Sequence, residues 1–205
     1  MRVEPEQAYE LFLREREPIS DDAFFNDPAH QWLRDLWVAA HFGRAYGEFI
    51  DRGTLEFDWN RTHEWDFLLH TRNHSEPFQI TEALEPGRRR GLEYKQVESG
   101  ERPRTSLESW EPGTRFGPTW IKSAIERKKN KNYAGAKSLN LLVYANFPAY
   151  QLELDAVKVE CSELASEFLS IWVITGRHLG LLHSASPPNT ALESGWLVIN
   201  QSPAA

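Results

Sequence analysis

The stretch EWDFLLHTRNHSEPFQITEA, from Glu64 to Ala83, holds the polar residues best placed to do chemistry. Asp66 stands among Trp65, Phe67, Leu68 and Leu69, and Gln79, Thr81 and Glu82 interrupt a second apolar run. A carboxylate among buried groups needs a cationic partner, hydrogen bonds or a metal. The competing reading is structural, with Asp66 capping a turn or closing a salt bridge. Strand alternation puts Gln79 and Thr81 on one face and Glu82 on the other unless a bulge intervenes. It also sets Asp66 and His70 on a common face, where His70 would reach a phosphate, a metal or an attacking water. His63, His70 and His74 crowd this hairpin, but steps of seven and four are not a zinc spacing. Surface histidines are the simpler account of all three.

These residues need a scaffold, and the hydrophobic pattern supplies one. From Ala29 to Ile50 an apolar stripe of Trp32, Leu33, Leu36, Trp37, Ala40, Phe42 and Ala45 recurs at three- and four-residue steps, which predicts a helix stopped near Gly53. TLEFDWNR alternates Leu55, Phe57 and Trp59 with polar residues, as a half-buried strand does. EWDFLLH and PFQITEAL follow as two more strands of a meander. Residues 85–117 are rich in Gly, Pro and Arg and predict a long loop. A helix follows, with Pro118 in its first turn and Trp120, Ile121, Ala124 and Ile125 facing inward. SLNLLVYANF is an unbroken apolar run, the mark of a strand buried on both faces. VECSELASEFL predicts a helix, SIWVITG a strand and GWLVINQ a last strand. The expected architecture is an α/β (α+β) fold with a mixed central sheet flanked by helices, in the order α-β-β-β-α-β-α-β. Residues 1–28 read as a polar arm with a short helix near Glu6–Arg14, and 29–205 as a single domain.

Composition narrows the classes. The chain of 205 residues is 40% hydrophobic and holds 8 Trp, enough to build a core. One cysteine, Cys161, excludes an intrachain disulfide framework and reads as a small buried residue. The N-terminus lacks an apolar signal region, and no apolar run approaches the ~18 residues that would span a bilayer, so a cytoplasmic setting is expected. The net charge of -7 argues against a protein that coats nucleic acid, yet residues 87–137 hold 13 Lys/Arg against 6 Asp/Glu. This basic centre reads as a local phosphate surface or as a solvated helix face. A glycine-rich phosphate loop, a Ser-His-Asp context and HExxH are all missing, so no motif argues for a small-molecule enzyme.

The element order, with Asp66 in EWDF and the FQITEA strand, resembles the restriction-endonuclease-like PD-(D/E)XK nucleases over roughly residues 30–175. The resemblance implies a divergent magnesium- or manganese-dependent endonuclease acting on DNA phosphodiesters. Asp66 falls on the family's metal-binding Asp. Gln79 falls on its second acid and Thr81 on its Lys, two departures from the motif. Under this resemblance Asp66, Gln79 and Glu48 would hold the metal, with Glu82 as an alternative second ligand. Lys122 or Lys129 would activate the water, and Arg88, Arg89, Arg90 and Lys128 would hold the DNA backbone. The alternative is a non-catalytic nucleic-acid- or protein-binding module on the same fold.

Overall fold

The structure is a computed structural model that describes residues 2–60, 62–72, 74–88, 110–149, 151–185 and 195–199. Its centre is a single sheet of eight strands in sequence order. The strands are β1 (Arg2–Val3), β2 (Thr54–Phe57), β3 (Phe67–His70), β4 (Ser75–Ala83), β5 (Asn140–Ala145), β6 (Ser170–Ile174), β7 (His178–Ser184) and β8 (Leu197–Val198). β1 to β4 pair antiparallel, β4, β5 and β6 run parallel, and β7 and β8 return antiparallel. The parallel pairs need crossovers, which two helices provide. These are α4 (Trp110–Lys129) between β4 and β5 and α5 (Leu154–Glu160) between β5 and β6. The α/β class and the meander expected from the sequence both hold.

Helices α1 (Pro5–Arg16), α2 (Asp21–Asn26) and α3 (Gln31–Phe49) precede the meander. The α3 stripe of Leu33, Leu36, Phe42 and Tyr46 packs with Phe67, Phe78, Leu142 and Trp172 of the sheet. Fully burying one such side chain stabilises the fold by about 1.5–3 kcal/mol. α4 and α5 cover the opposite face, where Ile121, Ile125 and Val157 meet Leu141, Val143, Ile171 and Val173. Successive residues of β5 therefore feed two cores, which explains its unbroken apolar run. Cys161 is buried in the second core, and burial, then the Glu160 carboxylate, pushes its thiol up to about 12.

Two parts depart from the sequence reading. Residues 1–28 are not a free arm. Glu4 and Gln7 form a capping box that starts α1, Ala8 and Phe24 are buried, and α1 lies so close to α3 that a Cβ at Gly43 would sit 2.9 Å from the Pro5 ring. α4 begins at Trp110, so Pro118 lies inside the helix and not in its first turn. Gly113 and Gly117 weaken that stretch as a helix signal. They are tolerated because the helix passes against Phe147 and Pro148, where any side chain would collide. Among the described residues no helix is long and apolar enough to cross a membrane.

Candidate functional site

The hairpin does assemble a polar cluster, but its cation is the protein's own. Asp66 precedes β3, and its Oδ2 accepts the Ile80 amide at 2.7 Å. Gln79 faces α4, and its Nε2 donates to the Glu64 carbonyl. The Gln79 Oε1 accepts from the Lys128 ammonium and, at 3.1 Å, from the Tyr133 hydroxyl. Lys128 Nζ also lies 4.0 Å from Asp66 Oδ2, with both side chains mostly buried. The ammonium thus compensates Asp66 while the neutral amide orients it. Burial, then the Asp66 and Glu64 carboxylates, raises the Tyr133 pKa. Lys128 is therefore an internal residue and not part of a phosphate-binding surface.

The other expected metal and catalytic residues lie apart. Glu48 is on α3, in a polar cavity with Glu4, Arg44 and Arg52. Lys122 pairs with Glu163 at 2.6 Å and Lys129 with Glu167 at 2.7 Å, tying α4 to the segment after α5. Thr81 is buried. The three histidines each meet a different carboxylate: His63 with Asp58, His70 with Glu56 and His74 with Glu76. Among the described residues no three His, Cys, Asp or Glu side chains gather to hold a metal ion. Arg89 and Arg90 lie outside the described residues.

Glu82 leads elsewhere. Alternation turns it to the α3 side, as the sequence predicts, where it lines a cavity of about 420 Å³. One wall is Phe12 and Arg16 of α1 with Asp21, Phe24 and Phe25 of α2, and a second is Arg34, Asp35 and Trp37 of α3. The floor is Ile80 to Glu82 at the end of β4, with Tyr144 and Asn146 at the end of β5. Parallel pairing sets Glu82 beside Tyr144 and brings both carboxyl ends to the same edge. Asn146 Nδ2 donates to Glu82 Oε1 at 2.6 Å, and Arg88 Nη1 donates to the Asn146 carbonyl at 2.7 Å.

The wall is braced from behind. The Arg16 guanidinium bonds Asp21 and the Ile19 carbonyl and lies 4.5 Å from the centre of the Phe24 ring. Arg34 approaches the same ring at 5.9 Å and reaches the Phe24 carbonyl and the Gln31 amide oxygen, and Gln31 in turn donates to Asp35 at 2.8 Å. Trp37 meets Tyr144 edge-on at 5.1 Å. The result is an aromatic concavity with carboxylate, amide and guanidinium groups at its polar end. Sequence reasoning missed Trp37, Asp35, Tyr144, Asn146 and the α2 aromatics. The FF pair in the supposed arm and the outward turn of Glu82 were the available signals.

No family model matches the chain, and no curated protein matches it. Among solved structures it is similar to a protein of unknown function, PA4535 from Pseudomonas aeruginosa strain PAO1, described as of the monooxygenase superfamily. The TM-score is 0.44 and the identity 14%, with 96% of each chain covered. A likeness this distant transfers no activity. The PD-(D/E)XK resemblance and the DNA-cleaving hydrolase it implied are corrected on geometry, because among the described residues no three His, Cys, Asp or Glu side chains gather and Asp66 is met by the Lys128 ammonium. The physical reason lies in the hairpin. Of the acids the motif needs, Asp66 alone is kept there, and Lys128 already neutralises it.

Proposed function

We propose that this protein binds a small organic molecule in the cavity between α1, α2, α3 and the carboxyl ends of β4 and β5, in a cytoplasmic setting. The observation that carries this reading is the cavity itself, about 420 Å³ and lined by Phe12, Phe24, Phe25, Trp37 and Tyr144, with Glu82 and Asn146 at one end. A concavity where polar groups converge beside aromatic walls is a usual form of a ligand site, and here polar and apolar residues share the lining about equally. The lining suits an aromatic body. Glu82 and the Asn146 side chain suit a hydrogen-bonding group at its end.

Ligand binding stabilises a fold by mass action, by about 2.7 kcal/mol at a hundred times Kd. For a chain of this size that raises Tm by about 5–10 °C. The test is a thermal-shift screen of small aromatic compounds, with hits confirmed by quenching of tryptophan fluorescence. A Tyr144→Ala variant with a near-parent melt should lose the ligand-dependent rise. A rise unchanged in Tyr144→Ala would place the binding elsewhere.

A further inference from the structure

A second cavity, of about 260 Å³, adjoins the first. The two share Tyr144 and Asn146 as lining, so the end of β5 separates them. The second continues along the same sheet edge to the β6–β7 turn, and its lining includes Phe147, Thr175, Arg177 and His178. Here the charge differs from that of the first cavity, where guanidinium and carboxylate groups face one another. Arg177 is exposed, and among the described residues its guanidinium meets no carboxylate and no hydrogen-bond acceptor. The turn is held from within, because Thr175 Oγ1 accepts the amides of Arg177 at 3.2 Å and His178 at 3.0 Å. The Arg177 backbone also accepts the Ile199 amide at 2.8 Å. The cation therefore sits on a fixed turn, with an imidazole beside it. Burial, then the Arg177 charge, lowers the His178 pKa, so this ring is a neutral hydrogen-bonding group near pH 7.

We infer that the two cavities form one bipartite site, in which the ligand's aromatic body occupies the first and an anionic group, a carboxylate or a phosphate, reaches Arg177 and His178 in the second. Asn146 stands at the join, its side-chain amide donating to Glu82 on the first side. A guanidinium suits either anion, since its planar fork matches two oxygens of each. The inference rests on the first cavity being a ligand site.

The experiment compares three sets of probes on the intact protein: aryl carboxylates, aryl phosphates, and the neutral primary amides of the same carboxylic acids. Binding is read by thermal shift and titration for the parent, Arg177→Gln and Tyr144→Ala. Arg177 is exposed, and among the described residues its guanidinium meets no carboxylate or hydrogen-bond acceptor, so its replacement should leave the melt of the free protein unchanged. The expected result is that one anionic series binds at least tenfold more tightly than the amides, and that Arg177→Gln removes this preference while amide binding persists. Whichever series shows the preference identifies the anion. Equal binding of acids and amides, or a preference that survives Arg177→Gln, overturns the bipartite site and leaves the first cavity standing. Failure of every probe to bind overturns both readings.

Discussion

At the scale of single residues, Lys128 decides what the hairpin is. Its ammonium lies against Gln79 Oε1 and 4.0 Å from Asp66 Oδ2, and its side chain is only 12% exposed. Removing one member of a mostly buried pair leaves the other charge unpaired, which is costly. Lys128→Met should therefore destabilise the protein by about 2–4 kcal/mol in urea unfolding. The double variant Lys128→Met/Asp66→Asn should recover part of that loss, because the stranded carboxylate is gone. Manganese or a chelator should leave the parent melt unchanged, since an ammonium already serves Asp66. A manganese-dependent rise in Tm that disappears in Asp66→Asn would show that the ammonium yields to a metal. The sequence made Asp66 conspicuous because a carboxylate among Trp65, Phe67 and Leu68 must have a partner. It could not show that the partner is 62 positions along the chain, at the far end of a helix.

At the scale of elements, α3 and the strands β2 to β6 were legible because each depends on local periodicity. The α3 stripe repeats at helical steps, and β5 is apolar from Leu141 to Ala145, with Asn140 its one polar residue. β7 was not legible. Gly180 interrupts it, and glycine reads as a turn signal. In the fold it is the residue that lets Leu154 and Trp196 approach, since a Cβ there would lie 2.6 Å from the Leu154 methyl. The packing of α1 on α3 yields a pH prediction. The His41 ring stands 4.4 Å from Trp37 and 5.3 Å from Tyr9, and burial, then the Arg44 charge, lowers its pKa to about 4. An unfolded histidine titrates near 6.5, so below that pH the unfolded chain takes up a proton that the folded chain refuses. Stability should therefore fall as pH drops from about 6.5 to 4, by on the order of 1–2 kcal/mol for a ring that is not fully enclosed. His41→Phe keeps the aromatic packing and removes the titration. The difference in unfolding free energy between parent and His41→Phe should open over that window and be flat above pH 7. A difference independent of pH would mean that His41 contributes packing alone.

At the scale of the whole molecule, the cavity was invisible in the sequence because no one segment contains it. Phe12, Phe24, Trp37, Glu82 and Tyr144 come from five separate elements, and none stands in a motif with another. Only the folded sheet brings the ends of β4 and β5 together, and only α1 and α2 close the wall over them. The placement of residues 1–28 is therefore the central structural commitment. A polar arm would be dispensable, and its removal would leave the melt within about 1 °C of the parent. The fold says otherwise. Ala8 and Phe24 are buried, Tyr9, Phe12 and Phe25 pack against the core, and Pro5 locks into the space left by Gly43. Deleting residues 1–28 would uncover the outward side of α3, including apolar surface now shared with these residues, at about 25 cal/mol for each Å² returned to water. The truncated chain should then melt at least 10 °C lower than the parent, or accumulate as aggregate, and should show no ligand-dependent rise in Tm. Two point variants separate wall from scaffold. Phe25→Ala, at the half-buried cavity face of α2, should keep most of the stability and weaken aromatic probes. Ala8→Asp, buried between α1 and α3, should reproduce the loss seen on truncation. A truncated protein that melts with the parent and still binds the probes would return these residues to the status of an arm, and the cavity would lose its wall.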